Sequence, residues 1–170
     1  MPPKSNASAG ESVIREWFRR VWNELDRSAI EELLAPDCVA HWLGAEPTRG
    51  PKAFEEFHAF LCSHFHGIHV EIVREIQASD LVAFQAEVHL MPVGQQGPVR
   101  FNGGAFARVQ GRQILETWDC WDFLGLLERM GALPQGTFNL ALSGELSATS
   151  TASQSRRERP QGSARSAAAE

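Results

Sequence analysis

The sequence contains no tyrosine among its 170 residues. A mechanism that needs a phenol as hydrogen-bond donor is therefore excluded, and ten Phe and five Trp supply the aromatic surface instead. Cysteine is also scarce. The three Cys stand far apart, which argues against a disulfide framework and favours reduced thiols in a cytoplasm.

Basic residues and long apolar runs are scarce as well. There are 16 Lys and Arg against 21 Asp and Glu, a formal net charge of -5, whereas a duplex-binding domain is normally basic. No apolar run approaches the roughly 20 residues that a membrane span needs. The N-terminal MPPKSNASAGES lacks the apolar core of a secretory signal. We therefore expect a cytoplasmic protein that binds neither nucleic acid nor membrane.

The length leaves room for one domain. Residues 1–10 are small and polar, and residues 143–170 consist mainly of Ser, Ala, Thr, Gly, Gln and Arg. Segments of this composition bury too little apolar surface to offset the entropy lost on ordering. The sequence thus predicts one folded domain over residues 11–142 between two disordered ends.

Helical periodicity dominates the first half of this domain. Apolar residues at Val13, Trp17, Val21 and Leu25 predict a helix over 11–25. A short helix over 26–34, capped by Ser28, precedes a strand over 38–43. A third helix begins near Pro51 and is predicted to close at Gly67.

The second half has a period of two, which predicts strands over 68–76, 81–91, 99–109 and 113–121, and a short helix over 122–130. Consecutive strands joined by tight turns must be antiparallel, so the fold class is α+β. We expect a curved antiparallel sheet in the shape of a cone. Helices packed over its concave face would enclose an apolar cavity.

This order of elements resembles the nuclear-transport-factor-2-like cone fold, and within it the SnoaL-like polyketide cyclases. The resemblance spans roughly residues 11–134. It rests on Leu34-Ala-Pro-Asp37, on Arg49-Gly-Pro51 and on the segment ILETWDCWD over 114–122. Such cyclases close a ring of an aromatic polyketide ester by intramolecular aldol condensation. They use one carboxylate as acid and base, with no cofactor or metal, and the resemblance implies that Asp119 is this carboxylate.

Asp119 and Asp122 are three residues apart, so on one strand they would point to opposite faces. The resemblance places Asp119, with Thr117, on the cavity side, where desolvation would raise its pKa toward the range a general base needs. The alternative is a solvated carboxylate on the outer face. For Asp122, directly before the last helix, we predict a capping role.

Further pocket residues are predicted from strand alternation and from the resemblance. Phe101, Gly103 and Ala105 share the parity of the cavity side, where small residues would make room for a bulky ligand or simply allow close packing. The polyketide cyclases carry Gln and His at the places matching Gly103 and Ala105, and this chain does not.

Two groups of residues complete the predicted site. Trp22 matches an aromatic pocket position, and Trp17 and Phe57 accompany it as pocket or core residues. His41 is predicted to line the cavity mouth as the second polar residue of the site. His89 shares a polar strand face with Glu87, which favours solvent or a subunit interface, and the alternative is that it partners Asp119.

Cys62, His64, His66 and His69 offer atoms that zinc accepts, but their spacing fits no metal motif and spans a helix end and a strand start. We therefore expect no metal.

The resulting hypothesis is a cofactor-free enzyme in which Asp119 removes a proton alpha to a carbonyl of a polyketide-like or polycyclic substrate. His41 and Trp22 would orient that substrate. Two alternatives remain open: an isomerase or hydrolase reaction in the same pocket, and a non-catalytic binding or accessory protein for a small apolar molecule. A homodimer formed through the exposed sheet face is expected by analogy with other cone-fold proteins.

Overall fold

The computed structural model describes residues 12–42, 46–95 and 97–146. The predicted end at 1–10 lies outside these ranges, and so do residues 147–170 of the predicted end at 143–170. Helix α1 (Val13–Trp17) continues directly into a π-helix over Phe18–Asn23. The other described helices are α2 (Ser28–Leu33), α3 (Gly50–His64), α4 (Phe123–Arg129) and α5 (Thr137–Leu142).

Within the described ranges, six strands form one sheet in the order β2-β1-β6-β5-β4-β3. They are β1 (Leu34–His41), β2 (Thr48–Arg49), β3 (Phe65–Ala78), β4 (Leu81–Pro92), β5 (Val99–Gln110) and β6 (Gln113–Trp121). The antiparallel hairpins from β3 to β6 confirm the prediction. The expectation of a purely antiparallel sheet is wrong, because β1 pairs with β6 in parallel. No tight turn joins these two strands, so turn chemistry does not dictate their direction.

The start of α2 and the end of α3 differ from the sequence prediction. The Asp26 carboxylate accepts hydrogen bonds from the backbone N–H (3.1 Å) and the hydroxyl (2.6 Å) of Ser28, so Asp26 takes the capping role expected of Ser28. Helix α3 ends at His64 rather than at Gly67. Gly67 instead has φ 57° inside a bulge of β3, a left-handed conformation that glycine adopts without steric cost.

The core lies between the helices and the concave face of the sheet. Strand β4 alternates strictly, with Val82, Phe84, Ala86, Val88 and Leu90 buried against the helices. This confirms the face assignment made from the period of two. Three of the most deeply buried side chains come from the helices that cover this face: Ile14, Val21 and Ile30.

Asn23, the last residue of the π-helix, ties the helical layer to the edge strand β3. Its side-chain amide donates to the carbonyl oxygen of Val70 (3.0 Å) and accepts from the N–H of the same residue (2.7 Å). Both backbone groups of Val70 are satisfied in this way, as they would be by a further strand. The helical wall of the cavity is therefore anchored directly to the sheet.

Helix α5 was not predicted, because its sequence TFNLAL shows too short a periodic pattern. It is docked through Thr137, which is buried and whose N–H donates to Glu128 Oε1 at 2.7 Å. The described chain continues to Leu146, beyond the predicted domain end at 142, and the Leu146 N–H donates to the carbonyl of Leu140 at 3.0 Å. Within the described ranges, no helix has the length and apolar character needed to cross a membrane.

Candidate active site

A cavity of about 360 Å³ lies between the helices and the concave face of the sheet. Its walls are overwhelmingly apolar and aromatic. The aromatic lining residues are Trp17, Phe18, Trp22, Trp42, Phe54, Phe57, Phe60, Phe65, Phe84, Phe101, Trp121 and Phe123. The predicted pocket residues Trp17, Trp22, Phe57 and Phe101 are all among them.

Asp119 is the one carboxylate that lines this cavity in the described part of the chain. Its Oδ2 accepts a hydrogen bond from the hydroxyl of Thr117 at 2.6 Å, and its Oδ1 accepts from the indole N–H of Trp121 at 3.1 Å. Residues 117, 119 and 121 alternate along β6 and therefore face the same way. One short stretch of strand thus supplies both the carboxylate and the two donors that hold it.

The surroundings of Asp119 desolvate it without neutralising it. Burial raises its pKa, while the hydrogen bonds from Thr117 and Trp121 act in the opposite direction, and His41 opposes the rise weakly through space. No Lys, Arg or His side chain is found among the described residues that line the cavity. The carboxylate is consequently held by neutral donors in an apolar setting, an arrangement suited to a proton-transfer group.

Trp121 is a site residue that the sequence analysis missed. The period of two that selected Thr117 and Asp119 also selects position 121, and this local signal could have identified it. Its ring lies among Phe18, Phe84 and Phe101, with centroid distances of 6.2, 6.4 and 6.2 Å. These neighbours fix the indole, and hence the direction of its N–H toward Asp119.

The prediction that Gly103 and Ala105 make room for a ligand is wrong. A Cβ atom at Gly103 would collide with the six-membered ring of Trp121, so the space beside this glycine is taken by an indole. Ala105 lies opposite Asp119 in the register of β5 and β6 and is buried in the core. Neither residue lines the cavity.

His41 is not at the cavity mouth, and its predicted place in the site is wrong. It lies on the convex face of the sheet, where its Nε2 is 2.9 Å from Glu116 Oε1 and its ring stacks on Trp118. Arg108 reaches the other oxygen of Glu116 at 3.0 Å. His41 and Arg108 together hold the pKa of Glu116 below its usual range, with His41 the larger cause. The register that pairs His41 with Trp118 turns Ala40 toward the cavity instead.

His89 also lies outside the cavity. Its Nε2 is 2.8 Å from Glu87 Oε1, and both side chains occupy the face of β4 opposite the buried residues. The alternative of His89 as a partner of Asp119 is therefore wrong, because the apolar residues of β4 occupy the concave side.

Cys62 is paired with a residue that the sequence analysis did not consider. Its Sγ lies 3.7 Å from Nε2 of His58, which is buried and donates to the carbonyl of Val21 at 3.1 Å. Burial raises the pKa of the Cys62 thiol and lowers the pKa of His58, so both side chains favour their uncharged forms. Across the described residues, no group of three or more His, Cys, Asp or Glu side chains is placed to hold a metal ion.

Comparison with known proteins agrees with this geometry. The family model of SnoaL-like polyketide cyclases matches residues 12–130. The chain belongs to this family. None of the curated proteins matches it. The matched range contains every predicted site residue and ends one residue after α4.

Solved structures with the same fold come from several bacteria. A candidate SnoaL-like polyketide cyclase from Jannaschia sp. CCS1 aligns with a TM-score of 0.62 and 20% identity, covering 72% of this chain and 91% of its own. The candidate polyketide cyclase IdmH from Streptomyces antibioticus aligns with a TM-score of 0.60 and 22% identity, covering 70% of this chain and 96% of its own. An LEH-like epoxide hydrolase from M. tuberculosis aligns with a TM-score of 0.58 and 19% identity, covering 71% of this chain and 90% of its own. The present chain therefore has the nuclear-transport-factor-2-like fold, which suits cyclase- or isomerase-type chemistry.

Proposed function

We propose that this SnoaL-like protein is a cofactor-independent enzyme that uses Asp119 as general acid and base on a polyketide-like or polycyclic carbonyl substrate. The observation that supports this proposal is that Asp119, the one carboxylate among the described lining residues of a large aromatic cavity, is desolvated and accepts a hydrogen bond on each oxygen. The family match supports cyclase-type chemistry, and the reaction we propose is an intramolecular aldol-type ring closure.

In the proposed reaction, Asp119 removes a proton from the carbon alpha to a substrate carbonyl, and the C–H electron pair becomes the enolate. The enolate carbon attacks a second carbonyl carbon of the same molecule, which forms the ring C–C bond and leaves an alkoxide. Asp119 then returns its proton to that alkoxide, so the enzyme ends unchanged. A raised carboxylate pKa makes Asp119 a stronger base for the removal, and the alkoxide is basic enough to take the proton back.

The neighbours of Asp119 have separate tasks in this scheme. Thr117 and Trp121 hold the carboxylate in place. After it has taken the proton, Asp119 is neutral, and its O–H can donate a hydrogen bond to the oxygen that carries the developing charge. Trp22 and Phe57 lie in the cavity wall and would orient the substrate by apolar contact.

The experiment is turnover of a panel of polycyclic keto-esters by the wild type, by Asp119→Asn and by Asp122→Asn. Asp119→Asn removes the ionisable group and nearly preserves shape, so we expect a rate loss of about 10² to 10⁴. Asp122→Asn is the matched control, since Asp122 caps α4 outside the cavity. Full turnover in Asp119→Asn would contradict the proposal.

A second candidate function is binding without catalysis, and one observation favours it. Besides the Asp119 carboxylate, the described cavity lining offers few polar side chains that could take part in a reaction. Its hydroxyls and thiols are those of Thr48, Thr117 and Cys38. A binding protein would turn over none of the keto-esters in either form, and Asp119→Asn would change only the affinity. A hydrolase that needs an arginine beside its aspartates is disfavoured, because no arginine is among the described lining residues.

A further inference from the structure

We infer that the cavity selects its ligands by charge: it binds a hydrophobic ammonium ion, with the N–H directed at Asp119, in preference to a neutral molecule of the same shape, and it rejects carboxylates. This inference concerns the same cavity as the proposed function. It does not depend on turnover, because it describes equilibrium binding.

The first observation is a negative charge without a counter-charge. Asp119 lines the cavity, and no cationic side chain does so among the described residues. Arg108 and His41 both bond Glu116 on the convex face. Charges in an apolar enclosure interact far more strongly than charges in water. A cationic ligand therefore gains an attraction that no described side chain of the cavity already satisfies.

The second observation is that Asp119 keeps free acceptor capacity. A carboxylate offers about four lone-pair sites on its two oxygens. The contacts within the protein use one on each oxygen, from Thr117 at 2.6 Å and from Trp121 at 3.1 Å. A ligand N–H in the cavity can donate to a remaining lone pair without displacing either donor. The resulting bond is between two charged groups, the stronger class of hydrogen bond.

The third observation is the aromatic wall. Phe101 packs against both Phe123 (5.8 Å) and Trp121 (6.2 Å), and the indole N–H of Trp121 bonds the carboxylate. Aromatic faces carry negative potential, so they attract a cation and supply apolar contact for its hydrocarbon part. The same faces and the Asp119 carboxylate repel an anion. The wall and the carboxylate thus favour the same sign of ligand charge.

Three probes of similar shape test the inference by calorimetric titration near neutral pH. They are N,N-dimethylbenzylamine, which is protonated there, the neutral hydrocarbon isobutylbenzene and the anion phenylacetate. We expect the ammonium ion to bind the wild type at least about tenfold more tightly than isobutylbenzene, the worth of a charge-assisted hydrogen bond with cation–π contact. Phenylacetate should bind more weakly than both.

In Asp119→Asn the preference for the ammonium ion should disappear, while the affinity for isobutylbenzene stays within about threefold, because the apolar wall is unchanged. Equal binding of the two probes by the wild type would overturn the inference. So would a preference that survives in Asp119→Asn, or phenylacetate binding as tightly as the ammonium ion.

A pH titration of the wild type gives the same test without any variant. As the pH falls through the raised pKa of Asp119, the carboxylate is protonated and the preference should be lost. The other titratable side chain in the described lining is Cys38 on β1, whose pKa burial raises, so it remains a thiol. His41 acts on Asp119 through the sheet, so the variant His41→Gln serves as the control for its titration. In this variant the preference for the ammonium ion should still be lost as the pH falls. A preference that is constant over this range would overturn the inference.

Absence of turnover with a clear charge preference would leave this inference standing and remove the proposed function. Turnover without a charge preference would do the reverse.

Discussion

Asp119 is tuned by residues of its own strand. Burial raises its pKa, and the Thr117 hydroxyl is the largest opposing cause, ahead of the Trp121 indole. Both donors are neutral, so they stabilise the carboxylate without cancelling its charge. The base strength of Asp119 therefore depends on two side chains that alternation along β6 places on the same face of the strand.

Replacing Thr117 with Val should raise the pKa of Asp119 further. The variant keeps the shape and removes the hydrogen bond of 2.6 Å that favours the ionised form. The pKa can be followed by the carboxyl ¹³C shift of Asp119, and the acidic limb of the pH–rate profile should move to higher pH with it.

Thr117→Ser is the matched control, because it retains the hydroxyl and should titrate nearly as the wild type does. If Thr117→Val and the wild type titrated alike, the hydroxyl would have no part in setting the base.

At the scale of elements, α4 begins at a carboxylate that is separate from the site. Asp122 Oδ1 accepts from the N–H of Gly125 at 2.9 Å, and Oδ2 accepts from Arg129 at 3.2 Å. These contacts satisfy an otherwise free amide of the first turn and link it to the last turn. The capping role predicted for Asp122 is confirmed.

Asp122→Ala should lower the free energy of unfolding by about 1 kcal/mol through loss of the cap. Asp122→Asn and Asp122→Ser should restore most of it, because their side-chain oxygens can accept the same bond. Urea denaturation of the three variants measures the effect. A folded Asp122→Asn variant that had lost turnover would mean that the two aspartates have exchanged the roles assigned to them.

Strands β5 and β6 fit together around one indole. Gly103→Ala would push its methyl group into the ring of Trp121, which is itself packed against Phe101. We expect a loss of about 1–3 kcal/mol of stability from this overpacking, together with a weaker hold on Asp119. In a double-mutant cycle with Trp121→Leu, the cost of Gly103→Ala should fall, and a cost independent of residue 121 would contradict this account.

Strand alternation is a local pattern, and this is why the sequence placed Thr117, Asp119 and Phe101 on the cavity side. His41 was misplaced because its orientation depends on the parallel pairing of β1 with β6 and on the irregularity between Leu34 and Val39. Both features arise from contacts between distant parts of the chain. Gly103 was misread for a similar reason, since the ring that fills its space is far from it in sequence.

At the scale of the whole molecule, the convex face of the sheet carries an apolar row. The register aligns Ile76, Ala83, Phe106, Trp118 and His41 across five neighbouring strands. Ile76 is 71% exposed, Phe106 59% and Trp118 39%. Large apolar side chains that are contiguous on an open face mark an interaction surface more often than scattered ones do.

We propose that this row is the interface of a homodimer. A two-fold axis through the row would bring each Phe106 against the same face of a second copy, as an isologous contact requires.

Light scattering coupled to gel filtration should then give twice the mass of one chain for the wild type. Phe106→Glu should give the single-chain mass, because it buries a charge at the centre of the contact. Phe138→Glu is the matched control: Phe138 is 60% exposed, but it lies on α5, away from the sheet, so this variant should remain dimeric. A wild type with the mass of one chain would show that no such dimer forms. A dimer that Phe106→Glu leaves intact and Phe138→Glu dissociates would place the contact elsewhere.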